Sequence, residues 1–107
     1  MSDTDTNREV AKIVGWIIPD GNTNWRIRPN GQKVFFNPND EDDVVPDYCN
    51  DFNAVIAAER AVWAKDWNLR DHYEPTLFKL FGVRLLDADP KERAEALLET
   101  IKRFGTK

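Results

Sequence analysis

The chain has 107 residues, 41% of them hydrophobic and 32% charged, with a net charge of −4. That length suits one core in a single domain over residues 1–107, and the acidic balance argues against broad nucleic-acid or membrane affinity, which needs a basic surface. A lone Cys49 excludes an internal disulfide, no apolar run approaches the ~20 residues of a transmembrane helix, and no charged-then-apolar leader opens the chain, so a cytoplasmic protein is expected.

Residues 1–5 are polar and expected to be disordered. Thr6 and Glu9 have the spacing of a capping box and predict a short helix carrying Val10, Ile13 and Val14, stopped by Gly15. After a turn at residues 19–22, the segment WRIRPNGQKVFF predicts a hairpin over 25–36 with Asn30-Gly31 as a two-residue type I′ turn. That turn sets Ile27 opposite Val34 and Trp25 opposite Phe36 on one side, with Arg28 opposite Lys33 and Arg26 opposite Phe35 on the other. Residues 37–46 hold the acidic run Asp40, Glu41, Asp42 and Asp43 between two prolines and read as a solvated loop.

Asp51 is positioned to cap a helix from Phe52 to Asp66, with Phe52, Val55, Ile56, Val62 and Trp63 along one face. The chain breaks near Asn68, and Pro75 suits the first turn of a short helix, Thr76 to Phe81, closed by Gly82. Residues 83–86 predict a short third strand. Asp89, Pro90 and Glu92 then mark the start of a last helix whose stripe is Ala94, Leu97, Leu98, Ile101 and Phe104. The expected fold is α+β, in the order α-β-β-α-α-β-α, a small antiparallel sheet covered by helices.

Three groups of residues in this order resemble the phage ABA sandwich domain family of small bacteriophage and prophage proteins. They are Ile13-Val14-Gly15-Trp16; Pro46-Asp47-Tyr48 with Asp51-Phe52-Asn53-Ala54 and Glu59; and Ala88 with Arg93-Ala94-Glu95-Ala96-Leu97-Leu98. The resemblance implies a small α+β domain from a phage or prophage, and it carries no general activity. The basic hairpin and the acidic loop match no motif of that family.

At about 100° per residue Glu59 falls near the centre of its helix's apolar face, where an acid must be paired, protonated or in use. Arg93, at the edge of the last helix's stripe, is the preferred partner for a structural ion pair; Arg60 points roughly 100° away from Glu59. A second candidate is the hairpin, where Arg26, Arg28 and Lys33 beside Phe35 form a basic, aromatic patch able to hold an anionic ligand such as a nucleotide. Solvent, the chain's own acids or an acidic partner would neutralise the same charges. Asp40, Glu41, Asp42, Asp43 and the helix-end Trp67 are candidate interaction residues.

Enzyme signatures are thin. His72 sits alone in a charged stretch, Cys49 reads as a small half-buried thiol, and the acidic run lacks the spacing and glycine of a calcium loop, so no catalytic residue, metal or cofactor is assigned. Two functions follow as expectations. The first is a host-modulating binder that sequesters a nucleotide-like ligand in a homo-oligomer; the second is an acidic module that inhibits a host defence or nucleic-acid-handling protein. A hydrolase built on Glu59 and His72 is the weaker third.

Overall fold

The computed structural model describes residues 2–19, 24–36 and 45–105. Its elements run α1 (Asp3–Val14), β1 (Trp25–Ile27), β2 (Lys33–Phe35), α2 (Phe52–Lys65), α3 (Arg70–Phe81) and α4 (Pro90–Phe104), with one-turn 3-10 helices at Trp67–Leu69 and Leu85–Asp87. The expected α+β class holds and the four helices and the hairpin follow one another in the expected order, and among the described residues no helix is long and apolar enough to cross a membrane.

Local chemistry places most of the helix ends. Asp51 caps α2 by accepting from the amides of Asn53 and Ala54, and Asp89 and Glu92 exchange side-chain and backbone hydrogen bonds of 2.8 and 3.0 Å across the start of α4. Helix α1 begins earlier than expected, so residues 3–5 are helical rather than disordered. Ser2 is the cap, accepting from the Asp5 amide at 3.1 Å, and Asp3 and Asp5 favour the positive end of the helix dipole. At the other end Gly15 adopts φ +127°, a conformation open to glycine, and Lys65 of α2 donates to the Ile13 and Val14 carbonyls at 3.1 and 3.5 Å.

The hairpin is one residue out of the expected register. Trp25 pairs with Phe35, Arg26 with Val34 and Ile27 with Lys33. Pro29 is the cause: it fits the second position of a type I turn, which closes through the Gly31 amide to the Arg28 carbonyl at 2.9 Å. Gly31 follows at φ +91°, so the loop is the three-residue kind, and Asn30 never takes the positive φ that a type I′ turn demands. A third row of the sheet is supplied by Ile17, which bridges to Ile27. The strand expected at 83–86 is instead the 3-10 turn Leu85–Asp87, because six residues between Gly82 and Asp89 only join two packed helices.

Helix α3 is longer than expected, starting at Arg70 instead of Thr76, with Pro75 in its interior. The missing amide costs about 3 kcal/mol in an isolated helix. Burial of Tyr73, Thr76 and Leu77 on its inner face offsets that cost. Helix α4 packs against α1, α2 and α3 and is the centre of the core; its Ala94, Ala96, Leu97 and Thr100 are wholly buried.

Candidate functional site

Two arrangements stand out, one buried and one exposed. The buried one joins three helices. Glu59 on α2 is 7% exposed, and Arg93 on α4 sets its Nη1 3.4 Å from both carboxylate oxygens. The pair is completed by Tyr73 on α3, whose hydroxyl donates to Glu59 Oε2 at 2.5 Å and lies 3.3 Å from the Arg93 carbonyl. Arg93 also donates through Nη2 to the Leu85 carbonyl at 2.9 Å and lies over the Phe52 ring at 5.6 Å. Its buried Nε has no hydrogen-bond partner among the described residues.

Burial pushes the Glu59 carboxyl above the usual carboxylate range, with Tyr73 and Arg93 pulling it partly back. The Tyr73 hydroxyl is likewise raised, by burial first and by the Glu59 charge second. Desolvation thus outweighs pairing at Glu59, the usual balance in a buried ion pair. A cleft of about 440 Å³ opens beside the cluster, lined by Trp63, Arg70, Asp71, Glu74 and Leu85 among others. The sequence reading missed Tyr73 because starting α3 at Pro75 left residue 73 in a turn. Its i, i+3, i+4 spacing with Thr76 and Leu77 was the available signal.

The exposed arrangement is the hairpin, whose four candidate ligand residues are divided between its two faces. Arg26 is 5% exposed, donates to the Trp25 carbonyl at 3.0 Å and lies over the Phe36 ring at 4.6 Å. Arg28, on the same side by alternation, donates to Gln32 at 3.3 Å. Lys33 and Phe35 occupy the opposite face with Trp25: Lys33 Nζ is 4.5 Å from the Trp25 ring centre and 5.8 Å from that of Phe35. Phe35 is 66% exposed, and Ile17 at the far edge of this face is 54% exposed. The one-residue change of register therefore separates Arg26 from Phe35 and Arg28 from Lys33, pairs that the type I′ turn would have set side by side.

Of the remaining candidates, Trp67 is 61% exposed with the Arg70 guanidinium 4.8 Å over its ring. The run Asp40, Glu41, Asp42, Asp43 lies outside the described residues. His72 is exposed and stacks on Phe104 at 4.0 Å, on a different side chain from the Glu59 cluster. Trp16 is buried, while Trp25 and Trp63 are half-buried, Trp63 tilted against Tyr73 at 5.2 Å. Among the described residues no cluster of histidine, cysteine and acid side chains is arranged to hold a metal.

Cys49 is buried, its amide held by Asn7 Oδ1 at 3.0 Å, and burial with the charges of Asp3, Asp47 and Glu95 pushes its thiol up to about 11. Alkylation by iodoacetamide at pH 8 is expected to be slow in the native protein and fast in denaturant, since the thiolate is scarce and covered. Rapid native alkylation, followed by mass spectrometry, would contradict that environment. Comparison with protein families, with curated proteins and with solved structures finds no match for this chain.

Proposed function

We propose that this protein acts by binding and not by catalysis, taking an acidic partner protein on the face of its hairpin formed by Trp25, Lys33 and Phe35. The observation that carries this reading is the exposure of Phe35 beside a lysine held over two aromatic rings. An aromatic anchor next to a cation is a common centre of protein interfaces, where the ring supplies area and the charge supplies orientation. Capture of a small nucleotide-like anion is less favoured. Cations that grip a phosphate must converge, and Arg26 and Lys33 stand on opposite faces of a two-stranded sheet.

The host-directed setting comes from the resemblance to phage ABA sandwich proteins and rests on the sequence motifs alone; in that setting the partner is a host protein. Homo-oligomer formation remains a separate proposal, read from the solution mass. A photo-crosslinking amino acid placed at Phe35 tests the binding reading in host-cell extract, with the same probe at Leu86, which is 93% exposed, as control. A discrete adduct is expected at position 35 and not at 86, and Lys33→Glu should abolish it. Equal labelling at both positions, or an adduct indifferent to Lys33, overturns the reading.

A further inference from the structure

We propose that the partner is taken as an extended acidic segment that adds to the outer edge of β2; this rests on the binding reading above and specifies the form the partner takes. The hydrogen-bond pattern of the hairpin fixes which backbone groups are open. The Arg28 amide bonds the Gln32 carbonyl at 2.8 Å and the Phe36 amide bonds the Asn24 carbonyl at 2.9 Å. In an antiparallel ladder bonded and non-bonded pairs alternate, so Arg26 and Val34 form the bonded pair between them, and Lys33 and Phe35 turn their amides and carbonyls outward. On the other side, β1 is covered by Ile17, which exchanges bonds of 2.9 and 3.1 Å with Ile27. Among the described residues the sheet thus has one edge occupied and one edge presenting the backbone of Lys33 and Phe35, two exposed residues.

A free edge of this kind is a template for another strand. Charge decides which strand. The exposed charges of the hairpin are Arg28 and Lys33, both basic, in a chain whose net charge is −4. A second copy pairing edge to edge would set Lys33 opposite or two residues from its counterpart, and like charges at those positions are unfavourable. An edge lysine is a recognised device against self-pairing for that reason. An acid at the same position gains a cross-strand ion pair, and a residue beside Phe35 gains the exposed ring. The edge that discourages a copy of itself therefore selects an acidic strand.

The probe is a capped octapeptide of alternating threonine and glutamate, titrated into isotope-labelled protein and followed by amide NMR. Expected are saturable shifts at the amides of Lys33 and Phe35, slower hydrogen exchange there, and weaker binding as salt rises. Methylating alternate peptide nitrogens removes its backbone donors and keeps its side chains, so affinity should drop by roughly tenfold or more. Replacing glutamate with lysine in the peptide, or Lys33→Glu in the protein, should have a comparable effect. Equal affinity for the methylated peptide overturns edge pairing while leaving recognition by the hairpin face standing. No saturable shift at millimolar peptide overturns the edge proposal, and the crosslink at position 35 reports independently on the face. Shifts at Lys33 and Phe35 that grow with protein concentration alone would show that a second copy takes the edge, which also overturns it.

Discussion

Replacing Glu59 by alanine is expected to destabilise the protein by about 3–5 kcal/mol, a fall in Tm on the order of 15–25 °C. The loss comes mainly from what is left behind. Arg93 would keep its charge in a site where its Nη1 has no other acid and its Nε already lacks a partner among the described residues. Arg93→Ala should cost a similar amount by stranding the carboxylate between Tyr73 and α4. Replacing both residues with methionine should restore most of the stability, because apolar side chains of similar volume escape the desolvation of two ions. Thermal melts of Glu59→Met, Arg93→Met and the double-methionine variant form a cycle. If the double loses the sum of the singles, the residues are not coupled and the pair is not what joins the helices.

The same cluster sets a direction in pH. Glu59 has a folded value raised above its usual 4.5, so between 4.5 and that higher value the folded state binds the proton more tightly than the unfolded state. Stability from this group is therefore greatest at the acidic end of that window and falls as pH rises through it. Glu59→Gln should flatten this part of the profile, and Arg93→Ala should widen the window by removing a cation that favours the charged form. Urea unfolding from pH 4.5 upward, compared between variants, isolates the contribution from the other carboxylates.

Leu97→Ala is expected to cost about 4–5 kcal/mol, toward the top of the range for buried leucines. The reason is the company it keeps. The other buried residues of α4 are Pro90, Ala94, Ala96 and Thr100, and these short or ring-locked side chains have few atoms to move into the vacated space. Because α4 touches α1, α2 and α3, the cavity would lie where no single helix can tilt to close it. Leu86→Ala, at a site 93% exposed, should change stability by less than about 0.5 kcal/mol and serves as the control. Equal effects at the two positions, measured by urea denaturation, would contradict this packing.

Much of the helical frame was legible because its signals are local. Asp51, Gly82 and the Asp89-Pro90-Glu92 start each act within a few residues, so tertiary context had little to override. Glu59 and Arg93 were readable for a related reason: Glu59 interrupts an apolar stripe and Arg93 borders one, and a charge on such a face needs an opposite charge from the helix it meets. The hairpin was less legible. Asn30-Gly31 serves a two-residue and a three-residue loop equally well, and Pro29, one position earlier, decides between them. That single choice moved Arg26 away from Phe35 and divided the expected basic cluster between the two faces of the hairpin. Tyr73 was lost in the same manner, because Pro75 is a good first-turn residue and its cost in a helix interior is visible only once the burial around it is known.

The position of α4 in the chain has a kinetic consequence. The helix against which α1, α2 and α3 all pack follows every one of them in sequence, so during synthesis three amphipathic helices emerge before the surface they share. Until Pro90–Phe104 has left the ribosome, Val10, Val55 and Leu77 have no completed interior to enter. Before that point α1 and α2 can pack only on each other, through contacts such as those of Lys65 with the end of α1, so completion of the core is expected to await α4.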